Sequence, residues 1–129
     1  MSFTRTLPKD ADAQVEWFHD LAERTSTSRS LDLNVREGLA QFLEAQVPGH
    51  PLSGAETEAE LIAVIRDLRA NESAWNRTLQ GAMVRADDAF REGNELRARE
   101  ELERFSRQCP WVYFSEIALD QANLYKPAQ

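Results

Sequence analysis

Residues 86–110 read ADDAFREGNELRAREELERFSRQCP, and this stretch decides the fold class. Apolar side chains recur on both sides of Glu92-Gly93-Asn94: Ala86 and Phe90 before it, and Ala98, Leu102, Phe105 and Cys109 after it. Steps of three and four residues place such side chains on one face of a helix. Glycine adopts, without steric cost, the left-handed backbone that ends many helices. Asparagine caps the helix that follows it through its side-chain oxygen. The stretch therefore reads as helix, tight turn, helix. Pro110 suits the first turn of a last helix, where its missing N–H costs nothing. Trp111, Phe114, Ile117, Ala118 and Leu124 supply that helix with a buried side.

Upstream the same periodicity continues. Leu61, Ile62, Ile65 and Leu68 form a stripe that runs on through Trp75, Leu79, Met83, Ala86 and Phe90. Ser53…Glu56 and Thr57…Glu60 both have the capping-box spacing, so a helix starts near them. Asn71-Glu72-Ser73 offers caps for a fresh start, and a break near Asn71 is expected in preference to one helix reaching Phe90. Asn34 and Glu37 have a related spacing ahead of a helix from Val35 to about Gln46, which buries Leu39, Phe42 and Leu43. Pro48-Gly49-His50-Pro51 ends it. A first helix is expected from about Asp10 to Arg24, with Val15, Phe18, Leu21 and Ala22 on one face and Trp17 beside them. Thr25–Ser30 reads as a polar connection. The expected architecture is all-α: a single domain of 129 residues, built as a compact bundle of five or six antiparallel helices. A chain of this length buries enough surface to fold without disulfide or metal.

Within residues 86–110, Ala86, Phe90, Gly93, Ala98, Leu102, Phe105 and Pro110 fall at intervals that resemble one tetratricopeptide repeat. The resemblance implies a helical hairpin whose small residues let two antiparallel helices approach. It covers about a quarter of the chain and occurs once. Stacked repeats need about three units to bury a continuous core, so the family's peptide-binding groove does not carry over with the hairpin.

Charge narrows the function classes. The net charge is −7 and the pI is near 4.8. Residues 1–65 hold eleven acids and five bases, whereas residues 66–129 hold eleven acids and ten bases. No concentrated basic face is visible, which argues against nucleic acid as a partner. No apolar run is long enough to cross a membrane, and MSFTRTLPKDADAQ lacks the apolar core of a signal peptide. One cysteine, Cys109, cannot form an internal disulfide. A cytoplasmic protein is expected.

The chain carries no recognised catalytic motif: no phosphate-binding glycine loop, no nucleophile elbow, no paired cysteines. Glu16 and His19 have the i, i+3 spacing of a di-iron helix, but no second such pair exists. His50 reads as a surface loop histidine, and Cys109 as a small buried hydrophobe. Asp87-Asp88 and Glu100-Glu101 read as solvated surface, because adjacent residues on a helix point in different directions. Neither a cofactor, a metal nor an enzymatic activity is expected. An acidic surface favours and steers a basic protein partner. Small size, helical make-up, an acidic first half and the absence of catalytic motifs resemble, in character only, bacterial immunity proteins that neutralise toxins. That likeness implies a masking role. Glu16, Asp20, Glu23, Glu56, Glu58 and Glu60 would engage a basic toxin domain, with Trp111 or Tyr113 as aromatic anchor. The other reading is an adaptor or chaperone that holds a peptide through the tetratricopeptide-like hairpin. A homo-oligomer paired through edge aromatics is compatible with either.

Overall fold

The structure, a computed structural model, describes residues 7–27, 35–50 and 56–125. Among the described residues the chain is all-α, with five helices and no strand: α1 Ala11–Thr27, α2 Val35–Gln46, α3 Glu58–Arg91, α4 Glu95–Gln108 and α5 Val112–Asn123. By its internal contacts the chain divides into two compact units, Met1–Asn71 and Glu72–Gln129.

In the first unit, Asp10 starts α1: its carboxylate accepts from the Ala13 N–H at 3.1 Å. The helix buries Val15, Trp17, Phe18 and Leu21. It continues past Arg24, through the Thr25–Thr27 segment expected as a connection. The Thr25 side chain is buried, and its hydroxyl donates to the Ala22 carbonyl at 2.8 Å. That bond back to the preceding turn satisfies the polar group inside a helix. Ser28–Ser30, the Asn34 cap and the Ser53 capping box lie outside the described residues. Helix α2 occupies the expected range. The Phe18 and Phe42 rings stack at 4.8 Å, and Trp17 lies 6.2 Å from Phe42. A buried hydrogen bond from Gln46 Nε2 to Gln14 Oε1, 2.8 Å, adds a polar clasp between α1 and α2. Gln14 in turn donates to the Pro8 carbonyl at 2.9 Å.

Helix α3 begins with the capping box read from Thr57 and Glu60. The Thr57 hydroxyl accepts from the Glu60 N–H at 3.1 Å, and the Glu60 carboxylate accepts from the Thr57 N–H at 3.3 Å. The expected break near Asn71 does not occur. The helix runs unbroken for 34 residues, because Asn, Glu and Ser are tolerated inside a helix when both flanks supply apolar residues at helical spacing.

In the second unit, α3 ends in a Schellman motif. The Gly93 N–H donates to the Phe90 carbonyl at 3.0 Å, and the Asn94 N–H to the Ala89 carbonyl at 2.9 Å. Gly93 has φ +85°. Asn94 then caps α4, its side-chain oxygen accepting from the Arg97 N–H at 3.0 Å. Ala86 and Ala98 are fully buried beside this turn. Trp75 of α3 meets Phe105 of α4 edge-on at 6.0 Å. Phe90, expected in the buried stripe, is 44% exposed. The buried side of this part of α3 is Leu79, Ala82, Ala86 and Ala89 instead, and Phe90 stands about 100° around the helix from Ala89. Pro110 also departs from expectation. Helix α5 starts at Val112 with Trp111 at its N-cap, so Pro110 lies in the bend before the helix rather than in its first turn. Cys109 and Trp111 on either side of it are extended, as the residue before a proline prefers. The Ser115 hydroxyl donates to the Ser106 carbonyl at 2.7 Å, tying α5 to the end of α4.

Replacing Gly93 by alanine should cost about 1 kcal/mol, because a Cβ in left-handed backbone is strained. No heavy atom lies within 4 Å of that Cβ, so the cost is conformational only. Thermal melting of Gly93→Ala and Gly93→Asn checks it, with asparagine expected to restore part of the loss.

Candidate interaction surface

The acids singled out on α1 fall on one face. Asp12, Glu16, Asp20 and Glu23 follow one another at steps of four, four and three, and all are exposed. The buried residues Gln14, Trp17, Phe18, Leu21 and Thr25 occupy the opposite side of the same helix. At 1.5 Å per residue the stripe is about 16 Å long. Asp12 belongs to it although the sequence reading passed over it; the four-residue step to Glu16 was the available signal.

The acids of α3 are differently employed. Glu58 and Glu60 sit in its first turn, where negative charge complements the helix dipole. Glu60 is also held by Thr57, whose hydroxyl donates to its carboxylate at 2.9 Å. Glu56 is exposed just before the helix, and Glu58 is half-buried. Glu58 and Glu60 therefore complement the start of α3, as Asp12 does in the first turn of α1.

The two aromatic anchors part company. Trp111 is fully buried at 0% exposure, with Phe114 packed 6.0 Å away, so it belongs to the core and not to an interface. Tyr113 is half-buried and meets Phe114 edge-on at 5.7 Å. Trp111 is extended at the N-cap of α5, and its side chain packs inward beside Phe114.

Glu101 corrects the reading of the paired acids as solvated surface. It is buried on the inner side of α4, and its carboxylate accepts from Arg85 Nε of α3 at 3.1 Å, with Arg104 3.8 Å away. Glu100 beside it is exposed. A carboxylate on the inner face of a hairpin requires such a partner, and Arg85, sixteen residues away, was not legible as that partner.

The remaining chemical candidates are quiet. His19 is half-buried next to Phe18, and His50 is exposed. No group of three or more His, Cys, Asp or Glu that could hold a metal ion occurs among the described residues. No helix among them is long and apolar enough to cross a membrane. Burial pushes the Cys109 thiol above its ordinary range, which keeps it protonated and unreactive. Comparison of the chain with protein-family models, curated proteins and solved structures finds no match.

Two measurements follow from this geometry. Trp111→Ala should destabilise the protein by about 3–5 kcal/mol, as for other buried tryptophans, and the half-buried Tyr113→Ala by less than half of that, both read from denaturant unfolding. Cys109 should react with a thiol-specific chromogenic disulfide at least about tenfold more slowly in the native protein than in denaturant.

Proposed function

We propose that this chain is a non-catalytic binding protein that masks a basic surface of a partner protein, in the manner of an immunity protein set against a bacterial toxin. The observation that carries the reading is the exposed acidic stripe of α1, Asp12, Glu16, Asp20 and Glu23, backed by a helix whose other face is buried. Such a stripe presents four carboxylates in register from a rigid element. That arrangement accelerates and orients association with a basic cleft. The fit would be electrostatic at the rim, with affinity completed by apolar contact.

The adaptor reading rests on a different observation. The hairpin around Gly93 brings the buried alanines Ala86 and Ala98 to its turn end, which suits a tetratricopeptide-like unit. It implies affinity for extended segments of several proteins, whereas masking implies one folded partner.

Capture of tagged protein from its native lysate at low and high salt, followed by mass spectrometry, separates the two. The masking reading expects one stoichiometric folded partner that salt releases. Charge reversal at Glu16, Asp20 and Glu23 should weaken that complex at least about tenfold, within the range known for charge pairs in protein complexes. Binding unchanged by the reversal would rule out the electrostatic mechanism. Several unrelated partners would favour the adaptor.

A further inference from the structure

We propose that the middle of α3, residues 69–78, is a joint: a segment that opens by local unfolding while the helix on either side of it stays folded. The backbone of α3 is continuous, but its burial is not. Leu61, Ile65 and Leu68 are buried before this segment, and Leu79, Ala82, Ala86 and Ala89 after it. Between Leu68 and Leu79 no apolar side chain is buried. The position that continues the apolar spacing, four residues past Leu68, is Glu72, which is buried at 2% exposure. Taking a carboxylate out of water costs free energy that its partners must return, whereas burying a leucine there would gain it. Ser73 and Trp75 are half-buried, Trp75 edge-on to Phe105, and the rest of the segment is exposed.

Local chemistry weakens the same segment. Asn71, Ser73, Asn76 and Thr78 are weak helix formers, because short polar and branched side chains either compete for backbone groups or lose rotamer freedom in a helix. The Thr78 hydroxyl does compete: it donates to the Ala74 carbonyl at 3.0 Å, a bond that slightly destabilises a helix. Gly81, one turn on, adds backbone freedom in the interior of α3. Most helical stability in a folded protein comes from packing of an apolar face. Here packing and propensity are both low over about 15 Å of helix. The boundary between the two compact units falls inside this segment, between Asn71 and Glu72. Opening at this point leaves the buried apolar residues of each unit in place, which is the condition for a local rather than a global opening.

Native-state amide hydrogen exchange of the full chain, resolved by residue with NMR, tests the joint. Amides of residues 72–78 should exchange at least about tenfold faster than those of residues 64–68 and 84–90. Asn76→Ala with Thr78→Ala, both at exposed positions, should slow exchange at 72–78 at least about fivefold, because alanine favours the helix that must open. Ile65→Val separates local from global opening. It removes a buried methyl group outside the segment, and should speed exchange at 64–68 at least about threefold while leaving 72–78 within about 1.5-fold. Equal protection along α3 overturns the proposal. So does a response of 72–78 to Ile65→Val as large as that of 64–68, because these amides would then open only with the whole unit. Exchange at 72–78 that ignores the alanine pair also overturns it, since the opening would not include those residues.

Discussion

The left-handed backbone at Gly93 is the constraint on which the second half of the molecule depends. One residue at φ +85° reverses the chain between α3 and α4. Asn94 serves both helices at once: its N–H closes the Schellman motif of α3, and its side chain caps α4. Ala86 and Ala89 of α3 and Ala98 of α4 are buried on either side of the reversal. Farther along, Trp75 meets Phe105, and Arg85 reaches Glu101. Where α3 ends, the Phe90 ring meets Tyr125 of the chain leaving α5 at 5.2 Å.

The first unit solves the same problem with different means. Its apolar contact is aromatic, Phe18 on Phe42 with Trp17 at the side. The buried Gln14–Gln46 bond adds specificity that apolar packing lacks. A slip of α1 along α2 would break this bond, and each buried polar group left unsatisfied costs about 1–3 kcal/mol. Having one face of α1 committed to this packing is what leaves Asp12, Glu16, Asp20 and Glu23 exposed on the other.

Helix starts and stops were legible where one or two neighbouring residues settle them. Thr57 with Glu60, and Gly93 with Asn94, behave as their local chemistry demands, and the limits of α2 follow from apolar spacing and a proline-glycine stop. The misread positions share a cause. Thr25 stays in α1 because its hydroxyl finds the Ala22 carbonyl. Residues 71–73 remain helical although each could have capped a new helix. Pro110 lies before α5 and not within it. In each case the local signal permitted two outcomes, and the surrounding helix chose one. The acids of α1 could be placed on a common face from their spacing, whereas Glu60 is held in the capping box with Thr57.

Helical class, the turn at Gly93, the acidic bias of the first half and the lack of catalytic motifs were all readable from residue order, because each rests on spacing or on contacts a few residues apart. The inward turn of Trp111, the exposure of Phe90 and the pairing of Glu101 with Arg85 were settled by packing alone. Burial depends on which neighbouring helix covers a side chain, and that neighbour is brought close by the folded chain rather than by adjacency in sequence.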